Sequence, residues 1–278
     1  MVGGFDVRQL YIIKLGGSAI TNKKVERHAR VDVIQHLAKD IASIKGEKII
    51  IHGAGSFGHP IVKQYKIHTG FRCKTQLEGF SQTKIQLLEL NRMIVDALTR
   101  RKVVCTPFMP STFILAKNGR IIKAELEPLT RLLKLGLTPI LHGDIVYDEA
   151  LGFSIISGDQ LVSYLAKRFK PHLVIFGCNV DGIFDDDPQS NPNARLITHF
   201  TLDDVHHIVR SIREQSVPDI TGGMAGKLQE AFELAEEGIE SVIINITKPG
   251  LLVDLINKKP VRCSRILPCP SSGRISPL

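Results

Sequence analysis

Lysines placed at glycine turns are the feature of this sequence most able to do chemistry, because together they can hold and neutralise a small polyanion. The first turn is Lys14-Leu15-Gly16-Gly17-Ser18, followed by Thr21, Asn22, Lys23 and Lys24. Two glycines let backbone N–H groups approach an anion, and a lysine on either side supplies counter-charge. Lys14 ends an apolar stretch, where an unpaired ammonium would be costly. The second turn is Gly53-Ala54-Gly55-Ser56-Phe57-Gly58-His59-Pro60. It matches the G-x-G-x-x-G pattern, but a dinucleotide site also needs an acid about 20 residues on to hold a ribose. From His59 to Leu77 there is no acid, only the basic residues Lys63, Lys66, Arg72 and Lys74. The loop therefore suits a phosphate group, with His59 placed to hydrogen-bond it.

A third turn, running from Asp219 through Thr221-Gly222-Gly223 to Gly226-Lys227, opens a helical pattern and offers an anion site beside Lys227. Leu228 after the lysine rules out a Walker A loop. Ser157-Gly158-Asp159 is a small turn of the same kind, where Asp159 is either a helix N-terminal charge or an acid that orients lysines across a cleft. After another apolar run come Asn179, Val180 and Asp181, a carboxylate able to reach nucleotide hydroxyls or a metal. The neighbouring run Asp185-Asp186-Asp187-Pro188 lacks the alternating ligands of a calcium loop and reads as solvated.

The elements that must position these turns are short apolar strands alternating with amphipathic helices. Gln9–Leu15, Lys48–His52, Leu137–His142, Leu173–Gly177 and Ser241–Asn245 read as strands. Val31–Lys45, Leu77–Arg101, Gly158–Phe169 and Met224–Glu237 read as helices. Continuous apolar strands separated by helices imply an α/β fold with a mainly parallel sheet covered on both faces. Ligands of such sheets bind at the carboxyl ends of the strands, which is where the glycine turns fall.

Composition narrows the classes further. The 278 residues carry 36 Lys+Arg against 28 Asp+Glu, a net charge of +8. Four of the basic residues lie in the segment after His59 and five more (Lys258, Lys259, Arg262, Arg265, Arg274) lie in an acid-free C-terminal stretch, leaving the remainder near neutral. Trp is absent and aromatics are 6%, which disfavours a stacked platform for single-stranded nucleic acid. No apolar run approaches the ~18 residues of a membrane span, and the first residues lack a signal-peptide pattern, so a cytoplasmic protein with no membrane and no nucleic-acid partner is expected. Five scattered cysteines without C-x-x-C spacing suggest neither a disulfide framework nor a zinc site.

Taken in order, KLGGSAITNK, IHGAGSFGHP, HGD, SGDQL, NVDGIFDDDP and DITGGMAGK resemble the motifs of the amino acid kinase superfamily and, more narrowly, of the isopentenyl phosphate kinases. The resemblance covers about Tyr11 to Ile266 and implies a three-layer αβα sandwich with a mainly parallel central sheet. It further implies one continuous domain with an acceptor-binding N-terminal lobe (1–170) and an ATP-binding C-terminal lobe (171–278), usually a homodimer. The implied reaction makes isopentenyl diphosphate from isopentenyl phosphate with ATP and Mg2+. By motif match, Lys14, Gly16, Gly17 and Ser18 would line the ATP phosphates with Gly55 nearby, Lys23 would stabilise the transition state, and Lys227 with Gly223 would meet the nucleotide phosphates. Ala54, His59 and Gly158 match positions around the acceptor phosphate, with Gly55 between them. Asp159 matches the acid that organises the lysines, and Asp181 a position near the nucleotide. No residue is assigned as a metal ligand. Ala54 departs from the pattern where other members carry glycine, which slightly narrows the loop.

An acceptor that is already an oxyanion needs no general base, in keeping with the lack of an obvious Asp–His pair. Within the superfamily the acceptor could instead be glutamate, aspartate, carbamate, UMP or fosfomycin; His59 and its basic segment favour a phosphate or phosphonate. A nucleic-acid-binding regulator would use the basic segments as a backbone-tracking surface, but lysines gathered at glycine turns organise one small site instead. A hydrocarbon tail would need an apolar slot, for which the Leu77–Arg101 helix offers Phe80, Ile85, Leu88 and Met93.

Overall fold

A strand buried on both faces needs apolar side chains at successive positions, and β1 (Leu10–Leu15, LYIIKL) breaks that rule once. Tyr11, Ile13 and Leu15 pack into one core and Ile12 into another. The two-residue period of a strand puts Lys14 on the Ile12 side.

The structure, a computed structural model, describes residues 9–186, 191, 193–200 and 223–268. After β1 come α1 (Gly17–Ile20), α2 (Val31–Ser43), β2 (Glu47–His52), α3 (His59–Gln64), α4 (Thr75–Arg100) and β3 (Cys105–Pro107). Then follow β4 (Ile114–Lys117), β5 (Arg120–Ala124), α5 (Glu127–Lys134), β6 (Thr138–His142), β7 (Asp144–Asp148), β8 (Gly152–Ile156) and α6 (Gly158–Phe169). The remaining elements are β9 (Leu173–Cys178), β10 (Ile183–Phe184), β11 (Leu196–Ile197), β12 (His199–Phe200), α7 (Gly223–Glu236), β13 (Ser241–Asn245), α8 (Leu251–Ile256) and β14 (Cys263–Ile266). Asp187 and Pro188 of the acidic run, Asp219–Gly222 of the third turn and the tail from Cys269 onward lie outside the described residues.

Eight strands form the central sheet in the order β12-β14-β13-β9-β1-β2-β6-β3. Neighbours are parallel except β13 and β14. Leu37 and Ile41 of α2, Leu90 and Ile94 of α4 and Leu252 and Leu255 of α8 bury against one face. Leu129 of α5, Leu161 and Leu165 of α6 and Leu228 and Phe232 of α7 bury against the other. The three-layer αβα sandwich with a mainly parallel sheet is therefore the observed fold. Burying that much apolar surface on both sides is what fixes the strand positions at their carboxyl ends.

A second, four-stranded sheet, β5-β4-β7-β8, was not expected. Its strands have only 4 or 5 residues and include solvent-facing positions, so they do not form continuous apolar runs in the sequence. Helix α4 differs from expectation in the face it buries. Gln76, Thr83 and Asn91 are buried along with Leu87, Leu90 and Ile94, whereas Ile85, Leu88 and Met93 are exposed. Polar residues on the inner face blur the apolar stripe and hide its direction. Among the described residues no helix is long and apolar enough to cross a membrane.

Candidate active site

On either side of β1 the chain winds in opposite directions, toward β2 and β6 on one side and β9 and β13 on the other. The carboxyl ends of β1, β2 and β9 therefore surround a switch point, the usual place for a ligand in such sheets. There a cavity of about 410 Å³ opens.

At its floor Lys14 finds its partner. Asp159, in the first turn of α6, accepts a hydrogen bond from Lys14 Nζ on Oδ2 (2.5 Å) and from Lys227 Nζ of α7 on Oδ1 (2.9 Å). All three residues are buried. Burial would raise the Asp159 carboxyl, but the two ammonium charges and their hydrogen bonds outweigh it and bring it down to about 2. Burial draws Lys14 down to about 8, with Asp159 opposing and Lys227 reinforcing the fall. For Lys227 burial lowers and the Asp159 charge raises, with the net direction upward. One carboxylate against two ammoniums leaves a buried excess of positive charge facing the cavity, a setting for an anion. Asp159 thus orients the lysines and is more than a helix-end charge. Ser157 Oγ accepts from Gln160 N (3.1 Å) and caps the helix, fixing where Asp159 points. A Cβ on Gly158 would sit 3.2 Å from Lys14 Cε, so glycine there leaves room for the lysine stem.

The two glycine turns after β1 and β2 pack backbone to backbone. A Cβ on Gly17 would lie 2.6 Å from Gly55 N, and one on Gly53 would lie 2.6 Å from Gly17 N. The expectation that all these amides face an anion needs adjusting: Gly16 N–H donates to Gly177 O (2.9 Å) and Gly53 N–H to Leu15 O (2.9 Å), extending the strand ladders. Glycine is required here mainly for close approach of the loops. Thr21 locks them, donating through Oγ1 to Gly17 O (2.7 Å) and accepting from Ser56 N (3.0 Å). Ser18 Oγ reaches across to Asn179 Oδ1 at 3.1 Å.

The cavity brings together nearly every residue singled out in the sequence. Lys14, Gly16, Gly17, Ser18 and Lys23 line one side, Ala54, Gly55 and His59 another, and Gly158, Asp159, Gly223 and Lys227 the floor and far side. Lys23 is exposed at the mouth; His59, the first residue of α3, is half-buried. Asp181 is not part of the lining. Its carboxylate accepts from Lys248 Nζ (2.6 Å) and Asn245 Nδ2 (3.1 Å), with Arg262 Nε at 3.4 Å. Lys63, Lys66, Arg72 and Lys74 are exposed and also absent from the lining, so the segment meets the cavity through His59 and Val62 and not through its basic side chains. At the C-terminal stretch Lys259 pairs with Asp254 (2.8 Å) and Arg265 with Glu240 (2.6 Å).

Other parts of the wall were not read from the sequence. Gly143 and Asp144, quoted in the HGD motif but given no role there, line it directly after β6, where the strand-end rule already pointed. The apolar part of the lining is Val62, Leu87, Ile145, Ile155 and Ile156, with Thr83 beside Leu87 on α4, and Val62, Ile145 and Ile155 pack in one cluster. Thr83 Oγ1 donates to Gly79 O (2.7 Å), which satisfies its hydroxyl within the helix. Beneath the turns, the in-register strand ends His52 and His142 stack with ring centroids 5.3 Å apart. Asn91 Nδ2 donates to Ile140 O (3.3 Å) and to His52 Nε2 (3.1 Å), so His52 carries its proton on Nδ1 and donates it to Gly53 O (3.1 Å). Burial and the neighbouring His142 push His52 down to about 3, leaving it a neutral brace for the second glycine turn.

Among the described residues no group of three or more His, Cys, Asp or Glu is arranged to hold a metal ion. The two carboxylates in the lining, Asp159 and Asp144, have both oxygens engaged by protein donors.

A sequence profile of the amino acid kinase family matches residues 9–245. The isopentenyl phosphate kinase of Methanothermobacter thermautotrophicus is 37% identical over 266 residues, 92% of this chain and 98% of that protein. Its namesake from Methanocaldococcus jannaschii is 31% identical over 230 residues, 79% of this chain and 85% of that one. An X-ray structure of isopentenyl phosphate kinase superposes with a TM-score of 0.80 at 36% identity, covering 92% of this chain and 100% of that one. With a buried lysine–aspartate–lysine floor, paired glycine turns and likeness over nearly its whole length, the chain belongs to the amino acid kinase family, in the group formed by the isopentenyl phosphate kinases.

Proposed function

We propose that this protein transfers the γ-phosphoryl group of ATP to isopentenyl phosphate, giving isopentenyl diphosphate and ADP. The observation that carries this choice among acceptors is the mixed lining of the cavity, in which lysines, glycine turns and His59 occur together with the aliphatic side chains of Val62, Leu87, Ile145, Ile155 and Ile156. A phosphorylated hydrocarbon matches both kinds of lining. Glutamate or aspartate would bring an ammonium and a second carboxylate to an end made of aliphatic side chains, where burying them unpaired is costly. UMP would bring a uracil needing hydrogen bonds, and fosfomycin would bring an epoxide oxygen to the same aliphatic side chains.

In this reading Ala54, Gly55, His59 and Gly158 hold the acceptor phosphate, with His59 donating to one of its oxygens. Gly16, Gly17, Ser18, Gly55 and Gly223 border the nucleotide phosphates, and Lys14 and Lys227, aimed by Asp159, neutralise them. A non-bridging acceptor oxygen attacks the γ-phosphorus; the new P–O bond forms as the bond to the bridging oxygen of ADP breaks and its electron pair leaves with ADP. Lys23 at the mouth offsets charge on the transferring group's equatorial oxygens. The acceptor oxyanion needs no base, and Asp159, held by two lysines, is not called on as one. Mg2+ would enter as part of the Mg-ATP substrate and would supply charge neutralisation at the phosphates. The N-terminal lobe (1–170) then supplies the acceptor side and, through Lys14, Gly16, Gly17, Ser18 and Gly55, a share of the phosphate site, while the C-terminal lobe (171–278) supplies the rest of the nucleotide side. Asp181 acts from behind the wall, anchoring the segment after β9 through Lys248 and Asn245. The exposed apolar residues Leu77, Ile85 and Leu88 of α4 support a homodimer, to be checked by sedimentation.

The test is an acceptor panel with Mg-ATP: isopentenyl phosphate, glutamate, aspartate, UMP and fosfomycin. The expected result is diphosphate formation from isopentenyl phosphate well above the others; strong turnover of glutamate or UMP with none of isopentenyl phosphate would overturn the assignment.

A further inference from the structure

Beside the apolar end of the cavity lies an ion pair that the proposed chemistry does not use. Asp144, the first residue of β7, has a fully buried side chain, and Lys84 of α4 is 16% exposed at its side chain. Lys84 Nζ donates to Asp144 Oδ1 (2.5 Å) and to Ser111 Oγ (2.6 Å). Backbone N–H groups complete the carboxylate's shell, from Ser111 to Oδ2 (3.0 Å) and from Ile145 to Oδ1 (2.9 Å).

The pair joins the two walls of the slot. On the helix side, Thr83 precedes Lys84 and Leu87 lies one turn further on, and both line the cavity. On the sheet side, Ile145 follows Asp144 and pairs in register with Ile155, and both line it too. Apolar packing between such walls is non-directional and permits a helix to slide or draw back when a larger group enters. A buried, hydrogen-bonded ion pair has a preferred distance and direction, and its best-attested use is to fix register, not to add stability.

We infer that the Lys84–Asp144 pair is a strut that sets the width of the apolar slot and thereby the length of hydrocarbon the acceptor carries. Lys84 is a positioning residue, acting through Thr83 and Leu87, and Asp144, itself in the cavity wall, holds it there and sets the neighbouring Ile145. The inference rests on the reading that this slot takes the acceptor's hydrocarbon tail.

Two variants test it. Lys84→Met removes the strut but leaves Asp144 without its cation; Lys84→Met with Asp144→Asn removes both charges, so no unpaired buried charge remains to compromise folding. Each is assayed for kcat and KM with isopentenyl phosphate, with alkyl and prenyl monophosphates of increasing length, and for KM of ATP. Both variants are expected to raise KM for isopentenyl phosphate roughly ten-fold with kcat and the ATP KM unchanged, and to shift the ratio of kcat/KM toward longer acceptors by a similar factor. An unchanged length preference in the folded double variant, or an equal rise in the ATP KM, would overturn the strut while leaving the acceptor assignment intact. Failure of the unmodified protein to phosphorylate any prenyl phosphate would overturn that assignment, and the strut with it.

Discussion

Lys14 and Asp159 meet at 2.5 Å although 145 residues separate them in the chain. One ends the central strand and the other opens a helix across the sheet, so the contact exists only when the sandwich is complete. Asp159→Asn keeps the shape but removes the charge that sits between Lys14 and Lys227. We expect a stability loss of about 3 kcal/mol in urea unfolding and a fall in kcat/KM for ATP of about 10²-fold. An Asn variant with native stability and activity would remove Asp159 from its organising role. Because the folded-state carboxyl lies near 2 against an ordinary 3.8, its contribution is present above about pH 4 and is lost as pH falls through about 2.

The alkaline side belongs to Lys14. Its ammonium lies near 8 instead of 10.5, so the free protein loses that charge as pH rises through about 8. The value of kcat/KM for ATP should decline with a midpoint near there, while kcat stays flat to higher pH because bound polyphosphate favours the protonated lysine. Stability runs the other way: between about 8 and 10.5 the unfolded chain binds more protons at this residue than the folded one, so this group's contribution rises with pH. A kcat/KM profile with no alkaline limb would show that Lys14 is held differently.

His59→Ala should act on the acceptor alone. Losing a hydrogen bond to a charged phosphate costs about 2 kcal/mol, equivalent to a rise in KM for isopentenyl phosphate of roughly 30-fold. The ATP KM should be unaffected. Equal damage to both substrates would place the histidine elsewhere in the reaction.

For Lys23→Ala, a side chain exposed at the cavity mouth, the expected pattern is reversed: kcat falls about 10²- to 10³-fold with both KM values little changed. Stability by thermal melting should match the unmodified protein. A pure KM effect would make Lys23 a binding residue.

Gly17→Ala tests the loop packing. The added methyl would meet the Gly55 backbone at 2.6 to 2.8 Å, and backbone cannot swing aside as a side chain can. A destabilisation of about 2 kcal/mol is expected, with lower affinity for both substrates because both turns shift together. If only ATP binding weakened, the two turns would be independent.

Much of this site could be read in the sequence because its residues stand where strands end. Lys14 broke an apolar run, Gly16, Gly17, Gly55 and Gly158 marked sharp turns, and five buried strands were visible as continuous apolar segments. What stayed hidden was set by tertiary context. Nothing local distinguishes Asp159 as a bridge between two lysines from Asp159 as a helix-end charge. Thr83 and Leu87 are hidden in the sequence because polar Gln76, Thr83 and Asn91 share the buried face of α4, while the apolar Ile85, Leu88 and Met93 lie on its exposed side. Ile145 and Ile155 belong to short strands of a sheet whose pattern is too brief to register. Asp181 sat beside the right strand end but turns to Lys248 and Arg262, a direction only coordinates supply.

The strand order carries a consequence for how the molecule is made. β1 precedes its neighbour β9 by more than 150 residues: β9 begins at Leu173, with Tyr11 pairing with Leu173 and Leu15 with Gly177. Until Leu173–Cys178 has left the ribosome, one edge of the strand bearing Lys14 lacks its native partner, an apolar edge of the sort that recruits wrong partners. Such long-range parallel pairing makes for slow folding. A nascent chain halted before Leu173 should therefore be aggregation-prone and inactive even with every residue of the acceptor wall through Asp159 already translated.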